Sequence, residues 1–123
     1  MTASPDLTVL VNEVFKAIDV RDVDRFLTFL DPDARFRFAS APTVTGHDAI
    51  AVAVTGFFET IAGLQHELTN IVSSGSMLVC EGDVTYTRLA GSNVTLPFVN
   101  IFEFDDGLIC DYRIYVDVAP LYS

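Results

Sequence analysis

The chain has 123 residues, half of them hydrophobic, and a formal net charge of −10 from 17 acidic and seven basic side chains. This length is that of one ordinary domain with a real core, so we predict a single domain over residues 1–123. One Lys and six scattered Arg cannot line a phosphate backbone, and nucleic acid is not expected as a partner. No apolar run approaches the ~20 residues of a membrane span. The first residues lack the features of a signal peptide, and we expect a cytoplasmic protein that binds no membrane.

Two helices are predicted at the start of the chain. The first carries one apolar stripe over Leu7–Ile18, with Ser4–Asp6 supplying a cap, a first-turn proline and an acid. The second follows Asp22 as its cap and extends to Leu30, before Asp31–Asp33 breaks it.

An extended segment and a third helix follow. Ala34–Ala39 alternates Arg with Phe, which is typical of a strand with two unlike faces. From about Asp48 the apolar spacing of the first helix is repeated as far as Ile61. Gly63 is placed to end this helix.

The second half of the chain predicts four strands joined by turns of hairpin length. They are Gln65–Ser73, Met77–Arg88, Val94–Phe104 and Ile109–Val118. Short turns favour an antiparallel meander. Three helices followed by a meander indicate an α+β fold, with the helices on one face of the sheet.

Alternation along the strands sorts their side chains into two rows, and the more apolar row should face the helices. Val84 and Tyr86 belong to the apolar row of the second strand, and Tyr112 and Ile114 to that of the fourth. Asn100 is the one polar residue in the apolar row of the third strand. Burying an unpaired amide costs ~1–3 kcal/mol, so Asn100 needs a structural or functional partner.

Three segments carry a resemblance to a known family. They are Glu81–Arg88, Leu96–Phe102 and Asp106–Asp117. With this element order, the chain resembles the SnoaL-like branch of the nuclear transport factor 2-like superfamily over nearly its whole length. The resemblance implies a cone-shaped, barrel-like α+β domain, with three N-terminal helices packed on a strongly curved, mainly antiparallel sheet around a pocket. Relatives include polyketide cyclases, ketosteroid isomerases, limonene epoxide hydrolases and non-catalytic binding proteins, so the fold alone does not give the function.

The resemblance to the epoxide hydrolases adds His66 to the inward rows. Four polar side chains, His66, Tyr86, Asn100 and Tyr112, are then expected to converge on an apolar cavity. We predict that His66 transfers a proton and that Tyr86 or Asn100 stabilises a developing oxyanion. The predicted ligand contacts are Phe15, Phe36, Phe38, Phe58, Val84, Phe98, Phe102, Tyr112 and Ile114.

The catalytic residues of the named relatives are absent from the corresponding positions. The Asp base of the isomerases corresponds to Phe38, and their oxyanion Tyr falls near Val14. The Arg and the two Asp of the epoxide hydrolases correspond to Gly82, Val84 and Ile114. The pocket is therefore expected to be more apolar than those of these relatives.

The strand register decides which charged residues face the pocket. A shift of one residue would bring Asp83 or Arg113 inward and reverse every neighbour. In the predicted register, the outer face carries Arg113 beside Val99, Ile101 and Tyr115. This face is apolar enough to favour a homodimer through the sheet.

Three functions remain open from the sequence. The first is a cofactor-independent acid/base enzyme, an isomerase, cyclase or hydrolase, acting on a small hydrophobic oxygenated molecule. The alternative is a non-catalytic binding protein for a lipid-like or polyketide-like ligand. The third is an interaction module that uses only its outer sheet face. No cofactor and no metal site is predicted, because the sequence has no glycine-rich phosphate loop and its His and Cys lack the spacing of metal ligands.

Overall fold

A computed structural model describes residues 5–123, with side chains from Leu7 onward. The predicted start of the first helix at Ser4–Asp6 falls outside the described side chains. Within the described residues, no helix is long and apolar enough to cross a membrane. The elements are α1 (Pro5–Asp19), α2 (Val23–Thr28), β1 (Leu30–Phe38), β2 (Val44–Thr45), α3 (His47–Phe58), β3 (Ile61–Ser74), β4 (Met77–Arg88), β5 (Asn93–Asp105), β6 (Leu108–Val116) and a short 3₁₀ helix (Ala119–Tyr122).

The six strands form one mixed sheet in the order β2-β1-β6-β5-β4-β3. Strands β3 to β6 make the predicted antiparallel meander. The extended segment, β1, lies parallel to β6 and antiparallel to β2. The predicted α+β class, with three helices on a mainly antiparallel sheet, is confirmed, and the sheet of the described residues stays open between its edge strands β2 and β3.

The boundary between α2 and β1 differs from the prediction. The helix ends at Thr28, and Leu30, assigned to the helix from its spacing, is the first residue of β1. Leu30 is 2% exposed and pairs with Ile109 of β6, whose N–H donates to the Phe29 carbonyl at 2.9 Å. A strand contact far along the chain therefore overrides the local helical pattern.

The predicted end of α3 is also wrong. The helix stops at Phe58, and the Thr60 hydroxyl donates to the Phe57 carbonyl at 2.7 Å. Ile61 is already paired with Arg88 of β4, so Gly63 lies inside β3. Ile61 is buried at 2% exposure by this strand pairing and not as part of a helical stripe.

The predicted inner rows of β4 and β5 are buried, including Val84, Tyr86 and Asn100. The register places Asp83 in an exposed position, and Arg113 donates to Glu103 and Asp111 on the outer face, at 2.7 Å in each case. The side chains of Asp83 and Arg113 therefore point away from the helices.

The start of α2 offers a test of local helix stability. Asp22 accepts a hydrogen bond from the backbone N–H of Arg25 at 3.1 Å, as an N-cap residue does. We expect Asp22→Ala to lower the free energy of unfolding by about 1 kcal/mol in urea titration. Asp24→Ala, two residues further on in the first turn, is the control and should have a smaller effect, because Asp24 is not the N-cap residue. Equal losses in the two variants would contradict the capping role.

Candidate active site

A cavity of about 150 Å³ lies between the helices and the sheet. Ten of its twelve lining residues are apolar, and the other two are His66 and Tyr112. The apolar ones are Ile18, Phe26, Phe36, Phe38, Ala41, Ala53, Val54, Phe57, Phe58 and Ile114. An apolar cavity with a few polar groups is the usual form of a small-molecule site.

Aromatic rings make up most of the cavity wall and pack against one another. The ring centroids of Phe38 and Phe57 are 4.6 Å apart, and those of Phe36 and Tyr112 are 5.5 Å apart with nearly perpendicular planes. Ala41 and Ala53 are the exposed members of the lining, so the cavity reaches the surface between the end of β1 and α3.

His66 forms a closely bonded pair with Asp19, the last residue of α1. Its Nδ1 lies 2.6 Å from Asp19 Oδ1, and its backbone N–H donates to Asp19 Oδ2 at 3.0 Å. Both carboxylate oxygens are therefore engaged by one residue. The His66 and Asp19 side chains are only 10% and 24% exposed, so the pair is shielded from most of the solvent.

The imidazole ring is held in place by two further contacts. Phe15 of α1 lies at 4.7 Å between ring centroids, and Phe98 of β5 meets the ring edge-on at 5.2 Å. With Nδ1 donating to Asp19, the neutral ring keeps its acceptor at Nε2. Nε2 has no hydrogen-bond partner among the described residues, and the ring lines the cavity. On its other side, a surface depression reaches both His66 and Asp19.

Tyr112 and Asn100 form the second polar pair. The Asn100 amide Nδ2 donates to the Tyr112 hydroxyl at 2.9 Å, and Asn100 Oδ1 is buried with no partner in the described part of the chain. Because its oxygen accepts from Asn100, the Tyr112 hydroxyl can donate its own proton elsewhere. Burial raises the pKa of Tyr112 well above its usual value, which keeps that proton on the hydroxyl. Burial likewise raises the pKa of the nearby Cys80 to about 12, so its thiol is a poor nucleophile.

The Asn100–Tyr112 pair predicts a measurable loss of stability. Tyr112→Phe would leave both ends of an amide that is 1% exposed without a partner. We expect it to lower the free energy of unfolding by about 1–3 kcal/mol in urea titration. In the double variant with Asn100→Leu, both polar partners are gone and much of the loss should be recovered. A double variant less stable than Tyr112→Phe would contradict this account.

The structure gathers some of the predicted site residues and separates others. Six of the predicted site residues line the cavity, namely His66, Phe36, Phe38, Phe58, Tyr112 and Ile114. Phe15, Val84, Phe98 and Phe102 are buried in the core outside its lining. Asn100 lies outside the lining and is bonded to the lining residue Tyr112. Tyr86 also lies outside the lining, with its ring 5.6 Å from that of Phe57. Of the four polar residues expected to converge on the cavity, two line it, His66 and Tyr112.

Asp19 is the site residue that the sequence analysis missed. The signal for it was local: an acid in the last turn of α1 lies at the negative end of the helix dipole, which is unfavourable without a tertiary partner. His66 supplies that partner. Within residues 5–123, no group of three His, Cys, Asp or Glu side chains could hold a metal ion.

Comparison with known proteins agrees with this architecture. No curated protein sequence matches the chain. A nuclear transport factor 2-like protein of unknown function from Burkholderia pseudomallei is 25% identical with a TM-score of 0.85, over 96% of this chain and 95% of that one. TerC, co-crystallised with polyporic acid, is 20% identical with a TM-score of 0.85, over 97% and 96%. An epoxide hydrolase of M. tuberculosis, resembling limonene epoxide hydrolase, is 20% identical with a TM-score of 0.78, over 95% and 86%.

These likenesses describe the fold, since two of the three structures are less than 25% identical to the chain. The sequence profile of the SnoaL-like domain matches residues 11–112, from the middle of α1 to the middle of β6, and this range includes Asp19, His66 and Tyr112. The chain belongs to the SnoaL-like domain family.

Proposed function

We propose that the chain is a cofactor-independent acid/base enzyme that moves a proton on a small, hydrophobic, oxygenated molecule held in the cavity. The observation that carries this proposal is the 2.6 Å contact between Asp19 and His66 in an otherwise apolar wall. A carboxylate that orients a histidine and stabilises its protonated form is a recurrent arrangement for proton transfer.

The proposed chemistry begins with His66. Its Nε2 takes a proton from a carbon next to a carbonyl group, and Asp19 stabilises the resulting imidazolium. Negative charge then develops on the carbonyl oxygen, where the Tyr112 hydroxyl can donate a hydrogen bond. Asn100 is a positioning residue in this scheme, because its amide holds the Tyr112 hydroxyl at 2.9 Å. When a C=C bond adjoins the carbon that lost the proton, return of the proton from His66 to the far carbon of that bond moves the double bond and gives an isomer.

Hydrogen–deuterium exchange on simple ketones tests the proposal without knowledge of the natural substrate. The protein is incubated in D₂O with cyclohexanone and related ketones, and NMR follows the loss of the signals next to the carbonyl. We expect exchange well above that given by the same concentration of free imidazole at the same pH. Ketones that bind, as seen by saturation transfer, but exchange no faster than with imidazole would contradict an acid/base enzyme.

Ketone binding without accelerated exchange would support the alternative function, a non-catalytic binding protein for a hydrophobic molecule. The observation in its favour is that ten of the twelve lining residues are apolar. Binding by such a wall comes from apolar burial and needs no chemistry.

The proposed assembly is a homodimer through the outer face of the sheet. On that face Asp111 is bonded by Arg35 at 2.9 Å and by Arg113, so its charge is matched within the chain. Tyr115 beside them is 48% exposed and offers an aromatic contact to a second copy. Light scattering after gel filtration should give twice the 13.5 kDa mass of the chain. Tyr115→Glu should give the monomer mass, and a monomeric unmodified protein would contradict the dimer.

A further inference from the structure

The volume of the cavity limits the size of its ligand. At about 150 Å³, it matches an engineered protein cavity of about 150 Å³, lined by Leu, Ile and Phe, that binds benzene. A second fused ring would have to displace the wall or extend through the mouth at Ala41 and Ala53 into water, where its apolar surface gains little from burial.

Contacts between aromatic rings hold the cavity wall in place. Phe57 contacts Phe38 at 4.6 Å, Tyr86 at 5.6 Å and Phe58 at 6.3 Å between ring centroids, and Phe26 packs edge-on against Phe36 and Tyr112. Displacing a ring that packs against several neighbours would break these contacts and require the wall to repack. Their faces and edges also suit a planar aromatic ligand.

The polar groups limit the chemistry of the ligand. Among the lining residues in the described part of the chain, none is a Lys, Arg, Asp or Glu. An anion would lose its hydration without gaining a fixed positive partner, which strongly disfavours it. Tyr112 and His66 are the lining residues that carry groups able to bond to a neutral oxygen, such as a hydroxyl or a carbonyl.

We infer that the cavity takes a neutral molecule with the bulk of one six-membered ring carrying one oxygen function, such as a phenol or a cyclic ketone, and excludes fused two- and three-ring analogues. The inference rests on the proposed function, since it names the substrate class of the same site. Its test measures binding alone, so it can fail while catalysis is confirmed, and the reverse.

A series of ligands tests the size limit by isothermal titration calorimetry on the full chain. Phenol is compared with 1-naphthol, 2-anthrol and the charged analogue benzoate. Without a size limit, 1-naphthol should bind more tightly than phenol, because it has the larger apolar surface. We expect 1-naphthol to bind at least about tenfold more weakly instead, and 2-anthrol and benzoate not to bind measurably. An affinity for 1-naphthol or 2-anthrol equal to or above that for phenol would overturn the inference.

Phe57→Ala tests whether this ring sets the limit. The change removes part of the wall, and 1-naphthol should then bind at least as tightly as phenol. Phe29→Ala is the matched control, because Phe29 is also half-buried but lies outside the lining. It should leave the preference for phenol unchanged. An unaltered preference in Phe57→Ala would contradict the role of the wall.

If Phe57→Ala does not fold, a second pair of variants tests whether phenol binds in this cavity. Ala53 is exposed on α3 at the mouth of the cavity, and Ala49 is exposed one turn earlier outside the lining. We expect Ala53→Leu to weaken phenol binding at least about tenfold by filling the mouth, and Ala49→Leu to leave it unchanged. Equal phenol affinities in the two variants would show that phenol binds elsewhere and would overturn the inference.

Discussion

Replacing His66 by glutamine is expected to slow proton exchange on a bound ketone by about 10²–10⁴-fold, the usual contribution of a general acid or base. Glutamine has similar bulk and can still bond to Asp19, so the fold should survive, but it cannot carry the proton at neutral pH. The measurement is the NMR exchange rate at saturating ketone. The affinity for phenol should change less than the exchange rate, because the apolar wall and Tyr112 are unaltered.

The second histidine provides the matched control. His47 lies outside the cavity lining, and its Nε2 is 2.9 Å from the Leu30 carbonyl. His47→Gln should leave the exchange rate within about twofold of the unmodified protein, because surface and peripheral groups take no part in the chemistry. Equal rates in His66→Gln and the unmodified protein would show that His66 is not the base.

Asp19→Asn separates the role of the carboxylate from that of the ring. The amide oxygen can accept one hydrogen bond from His66, but the amide carries no charge to stabilise an imidazolium. Its NH2 group can also move the imidazole ring out of the orientation that Asp19 gives it. We expect a loss of roughly 10²-fold in the exchange rate, as for a catalytic group that loses its orientation. A purely structural role would instead lower stability and leave the rate per folded molecule unchanged.

The sequence could indicate part of this site but not its central contact. Strand alternation correctly placed Tyr112 and Ile114 on the inner face, because the period of two is set by the backbone alone. It could not connect Asp19 with His66, which lie on different elements and meet only because α1 packs across the start of β3. Tyr86 shows the opposite failure: its inward row was correct, yet the cavity does not extend to it.

The fold shows the same division between local and distant effects. The four meander strands follow from short turns and local alternation, and all of them were predicted. The parallel pairing of β1 with β6 joins distant parts of the chain, and it moved Leu30 from the predicted helix into a strand. A bulge between Glu103 and Phe104 changed the expected faces near the start of β6. There Ile109 is fully buried, whereas Cys110, which simple alternation would put in the inner row with Tyr112, is only partly buried.

At Gly82 the backbone of β4 lies very close to that of β3. A Cβ atom at this position would lie 2.0 Å from the Glu67 carbonyl oxygen and 3.0 Å from Leu68 Cα. Both are backbone atoms, so no side chain can turn away to make room. The pairing of the two strands also shifts its register between Leu68 and Asn70, beside this contact. A side chain here would therefore have to separate the strands at a bulge.

We expect Gly82→Ala to destabilise the protein by about 3 kcal/mol or more, at or above the upper end of the range for overpacking. Gly63→Ala is the matched control in β3, because its added Cβ would meet only the Thr87 side chain at an ordinary 3.9 Å. That variant should be neutral or slightly stabilising, since alanine restricts the unfolded chain. Urea unfolding of both variants measures the difference. Because β3 also carries His66, a separated β3–β4 pair should loosen the contact with Asp19 and slow proton exchange. A Gly82→Ala protein as stable as Gly63→Ala would contradict the close approach of the two strands.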